Sequence, residues 1–175
     1  RTFQRQAAIL RLYGKTSEKV MRGLAKEDRE QLKLAHYMSE YVGYPLHTNT
    51  EAVYFPSGEA KFEALLEELK KAEKYIFMEY FIVDFGSMWD SILDILKEKA
   101  AQGVEVRFMY DGMNSLSTLP YNYYKTLRQF GIKTKVFCQI IPALSTIHNN
   151  RDHRKIAVID GKVAFTGGVN IADEY

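Results

Sequence analysis

The stretch that most limits how this chain can fold is residues 75–83, an almost unbroken apolar run with helical patterns on either side. A run this short and this apolar reads as a strand covered on both faces. Ahead of it, Ser57 precedes Phe62, Leu65, Leu66, Leu69 and Ala72, which fall on one helical face with charges opposite. That pattern predicts a helix from 57 to about 74 with the serine as its cap. Behind the run, Ser87 and Asp90 have capping-box spacing, Ile92, Leu93 and Leu96 point inward, and Gly103 lies just past the expected end. Residues 104–110 form a second strand pattern. Pro120 then opens a helix carrying Tyr124, Leu127 and Phe130, Gly131 stops it, and 132–138 is a third strand. Strand, helix, strand, helix, strand predicts an α/β fold: a mostly parallel sheet flanked by helices.

The chain closes on a different pattern. Residues 156–159 and 163–166 are short apolar strands around Asp160-Gly161, a dipeptide that tolerates positive φ and suits a two-residue hairpin turn. With that loop, Ile159 lies opposite Lys162, Lys155 opposite Thr166 and His153 opposite Gly168. His153, Lys155 and Asn170 then share one face, and Arg154 points to the other. The register gathers a nucleophile or base, a fixed cation and an amide around a patch that Gly168 leaves clear, a site of phosphate size. Taken singly, each residue is ordinary: Asp-Gly is a common turn, and His beside Lys is commonly solvated surface.

Upstream, 17–41 carries the spacing of two helices, interrupted near 25–28, and Gly43-Tyr44-Pro45 ends the pattern. The expected division is a helical segment and connector over 1–50 and a catalytic α/β half-domain over 51–175. Residues 1–15 mix Arg1, Arg5, Arg11 and Lys15 with Phe3, Ile9, Leu10, Leu12 and Tyr13. They fit a basic amphipathic helix at an anionic surface and equally a solvated terminus.

Composition excludes more than it selects. A net charge of +2 over 175 residues names no partner. The single Cys138 cannot form an internal disulfide, and no run of eighteen apolar residues is present. His148 and His153 would need a helix to share a metal, whereas their context is strand-like. No GxxxxGK[ST] and no GxSxG occurs.

Together, His153, Lys155, Asp160, the pair Gly167-Gly168 and Asn170 spell HxKxxxxD followed by two glycines and an asparagine. This resembles the signature of the phospholipase D superfamily, and the flanking 151–155 and 168–175 resemble the first of two such motifs in bacterial cardiolipin synthases. The resemblance implies phosphodiester transfer in two steps. His153 attacks phosphorus, and an alcohol or water then takes the phosphatidyl group off it. Lys155 and Asn170, with Gly167 and Gly168 beside them, hold the substrate phosphate, so no metal and no cofactor is expected. Asp160 belongs to the family's catalytic motif, but its place at the turn gives it a supporting role. Glu79, a carboxylate inside an apolar run, needs a partner if buried and is a candidate support for the site.

The implied substrate is phosphatidylglycerol or a related phospholipid, two molecules giving cardiolipin and glycerol at the bacterial cell membrane, on its cytoplasmic face. The implied partner is a second motif-bearing half of the parent chain or a second subunit, because another histidine must protonate the leaving oxygen. Family synthases begin with membrane helices, so the expectation is an excised amino-terminal half, nearly inert alone. Two other readings stand beside this one: a homodimeric phosphodiesterase or nuclease of the same superfamily, and a non-catalytic module binding anionic lipid through Arg151, Arg154 and Lys155. The absence of a strongly basic stripe argues against nucleic acid.

Overall fold

The computed structural model describes residues 17–24, 29–139 and 150–175. It divides into two compact units, Arg1–Tyr54 and Phe55–Tyr175. In the first unit, helix α1 covers residues 17–24 and α2 covers Arg29–Glu40. Ser17 is buried, and its hydroxyl accepts a hydrogen bond from the Leu46 amide at 2.8 Å, which ties the following connector to α1.

The second unit begins with α3, Gly58–Lys71, capped by Ser57, whose hydroxyl accepts from the Ala60 amide. It continues through β1 (Tyr75–Tyr80), α4 (Ser87–Ala101), β2 (Glu105–Asp111), the single turn α5 (Asn114–Ser117), α6 (Tyr123–Gln129), β3 (Lys133–Phe137), β4 (Ile156–Ile159) and β5 (Val163–Thr166). The sheet order is β3-β2-β1-β4-β5. β1, β2 and β3 run parallel, and the β4–β5 hairpin adds antiparallel to β1. The expected α/β fold, a sheet flanked by helices with a terminal hairpin, is what forms.

Side-chain alternation decides where the core lies. Ile76, Met78 and Tyr80 of β1, Val106, Phe108 and Tyr110 of β2, and Ala157 and Ile159 of β4 are buried against Leu65 and Leu69 of α3 and Trp89, Ile92 and Leu96 of α4. Trp89 stacks on Phe108 and donates its indole N–H to the Tyr123 hydroxyl at 2.8 Å. The opposite face of the sheet is less covered than the apolar run suggested. Phe77, Glu79, Arg107, Met109, Lys135, Ile156 and Val158 line a shallow groove there, and only every second residue of β1 is fully buried.

Three local expectations change. Ser87 is the first residue of α4 rather than its cap; Gly86 holds the cap position with no side-chain bond. The Asp173 carboxylate instead accepts the Ser87 and Met88 amides, each at 2.8 Å, so a residue far along the chain closes the helix. The third helix begins at Tyr123, directly after the turn that Pro120 opens, and α5 precedes it. The hairpin register also moves by one. Asp160 (φ 54°) and Gly161 (φ 68°) both lie in the left-handed region, and the Lys162 amide donates to the Ile159 carbonyl, closing the expected tight turn. The first ladder pair, however, is Ile159 with Val163, leaving Lys162 as an extra residue. Thr166 therefore pairs with Ile156, on the face away from Lys155.

Candidate active site

β4 begins at Ile156, so His153, Arg154 and Lys155 form an extended lead into the strand at the carboxyl end of β1. His153 is exposed. Its ring rests against Phe81 with centroids 4.7 Å apart. Lys155 is 3% exposed, its ammonium sits 5.0 Å from the centre of the same Phe81 ring, and it donates to the His153 carbonyl at 2.8 Å. Burial pulls the Lys155 pKa down, and the charge of Asp152 works the other way.

Asn170 reaches this place by a route the register alone did not provide. After β5 the chain turns through Gly167 (φ 152°) and Gly168 and returns to the end of β1, where Ile171 bridges to Val83. Asn170 is buried, and its Oδ1 accepts the Ile82 amide at 3.0 Å. A Cβ added to Gly167 or Gly168 would meet nothing within 4 Å. The space beside the motif is open there. His153, Lys155 and Asn170 thus converge on two consecutive residues, Phe81 and Ile82.

The other face of the same segment is a charge network. Arg154 lies 2.6 Å from Glu79 and 2.9 Å from Asp152. Burial, followed by Asp152 beside it, pushes the Glu79 carboxyl up to about 7 against the pull of Arg154. Burial also opposes ionisation of Asp152, yet hydrogen bonds from Arg154 and Glu79 outweigh it and hold that group low. Of the two carboxyls, Glu79 is thus the one that takes up a proton more readily, and Asp152 the one that favours its charged form. Arg154 is engaged by both side chains, and the Arg151 guanidinium lies 3.4 Å from Asp111. This arrangement does not favour a bare cluster of cations waiting for lipid head groups.

Asp111 and Asn114 are of residue types common in turns and caps, and both do more than that here. The fully buried Asp111 carboxylate accepts the Met113 amide at 2.8 Å and, across the sheet end, the Asp152 amide at 2.9 Å, one residue before His153. Asn114 donates to the carbonyls of Phe81 and Asp111 and accepts the Val83 amide at 2.7 Å. Their position at and just beyond the carboxyl end of the parallel strand β2 was the available signal. Phe81 carried no signal at all, being one more apolar residue in an apolar run. Asp160 lies at the far end of the hairpin, where its carboxylate accepts the amides of Glu73, Lys74 and Tyr75 at 2.9, 2.8 and 2.8 Å. His148 lies outside the described residues, as do residues 1–15. Among the described residues, no helix is long and apolar enough to cross a membrane.

Residues 65–175 match the family described as cardiolipin synthase, PLD-like domain. The chain belongs to this family. Curated relatives named cardiolipin synthase include one from Geobacillus, 40% identical over 153 residues that make up 87% of this chain and 30% of the relative. Another, from Alkalihalophilus pseudofirmus, is 37% identical over 160 residues, 91% of this chain and 31% of the relative. A Streptococcus mutans protein is 48% identical over 98% of this chain and 37% of its own length. The chain thus spans about a third of the length of these relatives. Among solved structures, the phospholipase D family member Nuc of Salmonella typhimurium shares the fold, with a TM-score of 0.51 and 19% identity over 67% of this chain and 68% of Nuc. Membership and the shared fold make this a phospholipase D-like domain of a phosphotransferase family.

Proposed function

We propose that this chain is the nucleophile-bearing part of a phosphatidyl transferase of the cardiolipin synthase type. An imidazole nitrogen of His153 attacks the phosphorus of phosphatidylglycerol, the bond from phosphorus to the glycerol oxygen breaks, and a phosphohistidine forms as glycerol leaves with a proton. A hydroxyl of a second phosphatidylglycerol then attacks the phosphohistidine, giving cardiolipin and restoring His153. Lys155 and Asn170 hold the non-bridging oxygens, whose charge grows in the transition state. The observation that carries this reading is the convergence of an exposed His153, a buried Lys155 and a buried Asn170 on Phe81 and Ile82. The proton for the leaving glycerol comes from a second motif-bearing half or subunit, which this mechanism requires.

The test isolates the first step. Bis(4-nitrophenyl) phosphate has a leaving group that departs without protonation, so attack by His153 needs no second histidine. The expected result is an acid-labile, alkali-stable label on His153, absent from His153→Ala and formed about 10² to 10³ times more slowly by Lys155→Ala. Label on the His153→Ala protein at the wild-type rate would overturn the assignment. Full turnover of phosphatidylglycerol vesicles, compared with single-stranded DNA, separates lipid transfer from nuclease action at the same site.

A further inference from the structure

We infer that Phe81 is a positioning residue for the histidine and the lysine of the motif, an aromatic floor on which His153 and Lys155 are both set. The inference rests on the transfer reading above for its kinetic consequence and on geometry alone for the contact. The ring centroid lies 4.7 Å from that of His153, tilted by 51°, and 5.0 Å from the Lys155 nitrogen. One ring therefore meets both the nucleophile and the cation that sits two residues away from it.

The backbone under the ring is held from three directions. The Phe81 carbonyl accepts from Asn114 Nδ2 at 2.6 Å, the Ile82 amide donates to Asn170 Oδ1 at 3.0 Å, and the Val83 amide donates to Asn114 Oδ1 at 2.7 Å. The Ile82 carbonyl accepts the Ile171 amide at 3.2 Å, and Ile171 in turn accepts the Asp84 amide at 2.9 Å. Every link comes from a side chain or strand fixed elsewhere in the fold. A ring on such a base is a fixed surface, and side chains resting on it inherit its position.

The chemistry explains why the floor is aromatic rather than aliphatic. Lys155 is nearly fully buried, and the π face returns part of the stabilisation its ammonium loses on leaving water. His153 gains positive charge as its nitrogen bonds to phosphorus, so its attraction to the ring grows along the reaction. An interaction that strengthens toward the transition state raises the rate at saturation and leaves ground-state binding alone.

The test compares Phe81→Leu, which keeps apolar bulk but removes the π face, with Phe81→Tyr, which keeps the face. Circular dichroism and urea midpoints report the folded fraction, so each rate is expressed per folded molecule. In labelling by bis(4-nitrophenyl) phosphate, Phe81→Leu is expected to lose about fivefold in the saturating rate with an unchanged half-saturating concentration, and Phe81→Tyr to stay within about twofold of wild type. By NMR, His153 is expected to hold one χ1 rotamer with ring-current-shifted signals in wild type and Phe81→Tyr, and to average over rotamers in Phe81→Leu. A saturating rate for Phe81→Leu equal to wild type, or an equal loss in Phe81→Tyr, would overturn the inference. If wild-type protein takes no label, the transfer reading fails. The inference is then decided by the NMR comparison, where unchanged His153 rotamers in Phe81→Leu refute it.

Discussion

Replacing Asp160 tests whether this motif residue acts as a structural clasp. Its carboxylate accepts three consecutive amides, at 2.9, 2.8 and 2.8 Å, where the chain passes from α3 into β1. The Tyr75 amide is partly buried, and losing its charged acceptor costs about 1.5 kcal/mol. The Glu73 and Lys74 amides are exposed and can turn to water, so together they add about 1 kcal/mol. Alanine brings a further cost of about 1 kcal/mol, because residue 160 has a φ of 54°, which asparagine and glycine tolerate far better. Asp160→Ala is therefore expected to lose about 3.5 kcal/mol, roughly 10 °C in Tm for a chain of this size. Asp160→Gly keeps the backbone but none of the acceptors and should lose about 2.5 kcal/mol, and Asp160→Asn, with one acceptor oxygen left, about 1 kcal/mol. Urea unfolding followed by circular dichroism gives the order. The amides of Tyr75 and then Glu73 hold the Asp160 carboxyl below its ordinary range. Its stabilisation is thus present above the unfolded value near pH 3.9 and disappears as pH falls through the depressed folded value. The gap between wild type and Asp160→Asn should close in that acid window. An alanine variant within 0.5 kcal/mol of wild type, or a gap constant down to pH 2, would refute the clasp.

Two further predictions concern buried charge. Because Glu79 is pushed up to about 7, it opposes folding progressively as pH rises from its unfolded value near 4.3 to about 7. Wild type should lose stability across that window and Glu79→Gln should not; equal slopes of urea midpoint against pH would refute the raised Glu79 pKa. Lys61 of α3 has a buried ammonium without a hydrogen-bond partner among the described residues, and burial lowers its pKa. Lys61→Met keeps the stem and removes the unpaired charge, so it should stabilise the fold by about 1 kcal/mol at neutral pH. Wild type should recover that difference as pH rises through the depressed folded pKa toward the ordinary lysine value; a Met variant less stable than wild type at pH 7 would count against it.

What could be read in advance was what local patterns encode. The periodicities of 57–74 and 87–101 and the apolar runs of the strands lie in contiguous sequence, so the helices, strands and their order followed. The motif was legible because His153, Lys155 and Asp160 are close in sequence. Its assembly was not, because the parts that place it are separated along the chain: Asp111 binds the Asp152 amide from 41 residues away, and Asn170 binds Ile82 from 88 residues away. The hairpin register failed for a smaller reason. Asp-Gly correctly marks the positive φ angles, but nothing in Lys162 shows that it will stand outside the ladder, and one residue of slip reverses which side chains share a face. Ser87 misled because a serine before an apolar helix is an ordinary cap, whereas the acceptor that closes α4, Asp173, lies 86 residues on.

The slip also clarifies how the site is built. In a regular hairpin, Lys155 would take its neighbours from β5, and its position would depend on a short edge strand. The observed chain instead leaves β5 at Gly167 and carries Asn170 back to β1, the strand at the centre of the sheet. Residues 152–155 run extended beside it, so alternation sends Asp152 and Arg154 toward Glu79 on the groove side and Lys155 toward Phe81 on the other. Each side chain on one face is thus fixed by a partner of β1 or its extension, and Asp111 fixes the backbone between them. A displacement of Arg154 moves the same peptide units that carry His153. It follows that the charge network on one face and His153 on the other share one stretch of backbone. Substitutions at Glu79 that loosen Arg154 are therefore expected to shift His153 without touching it.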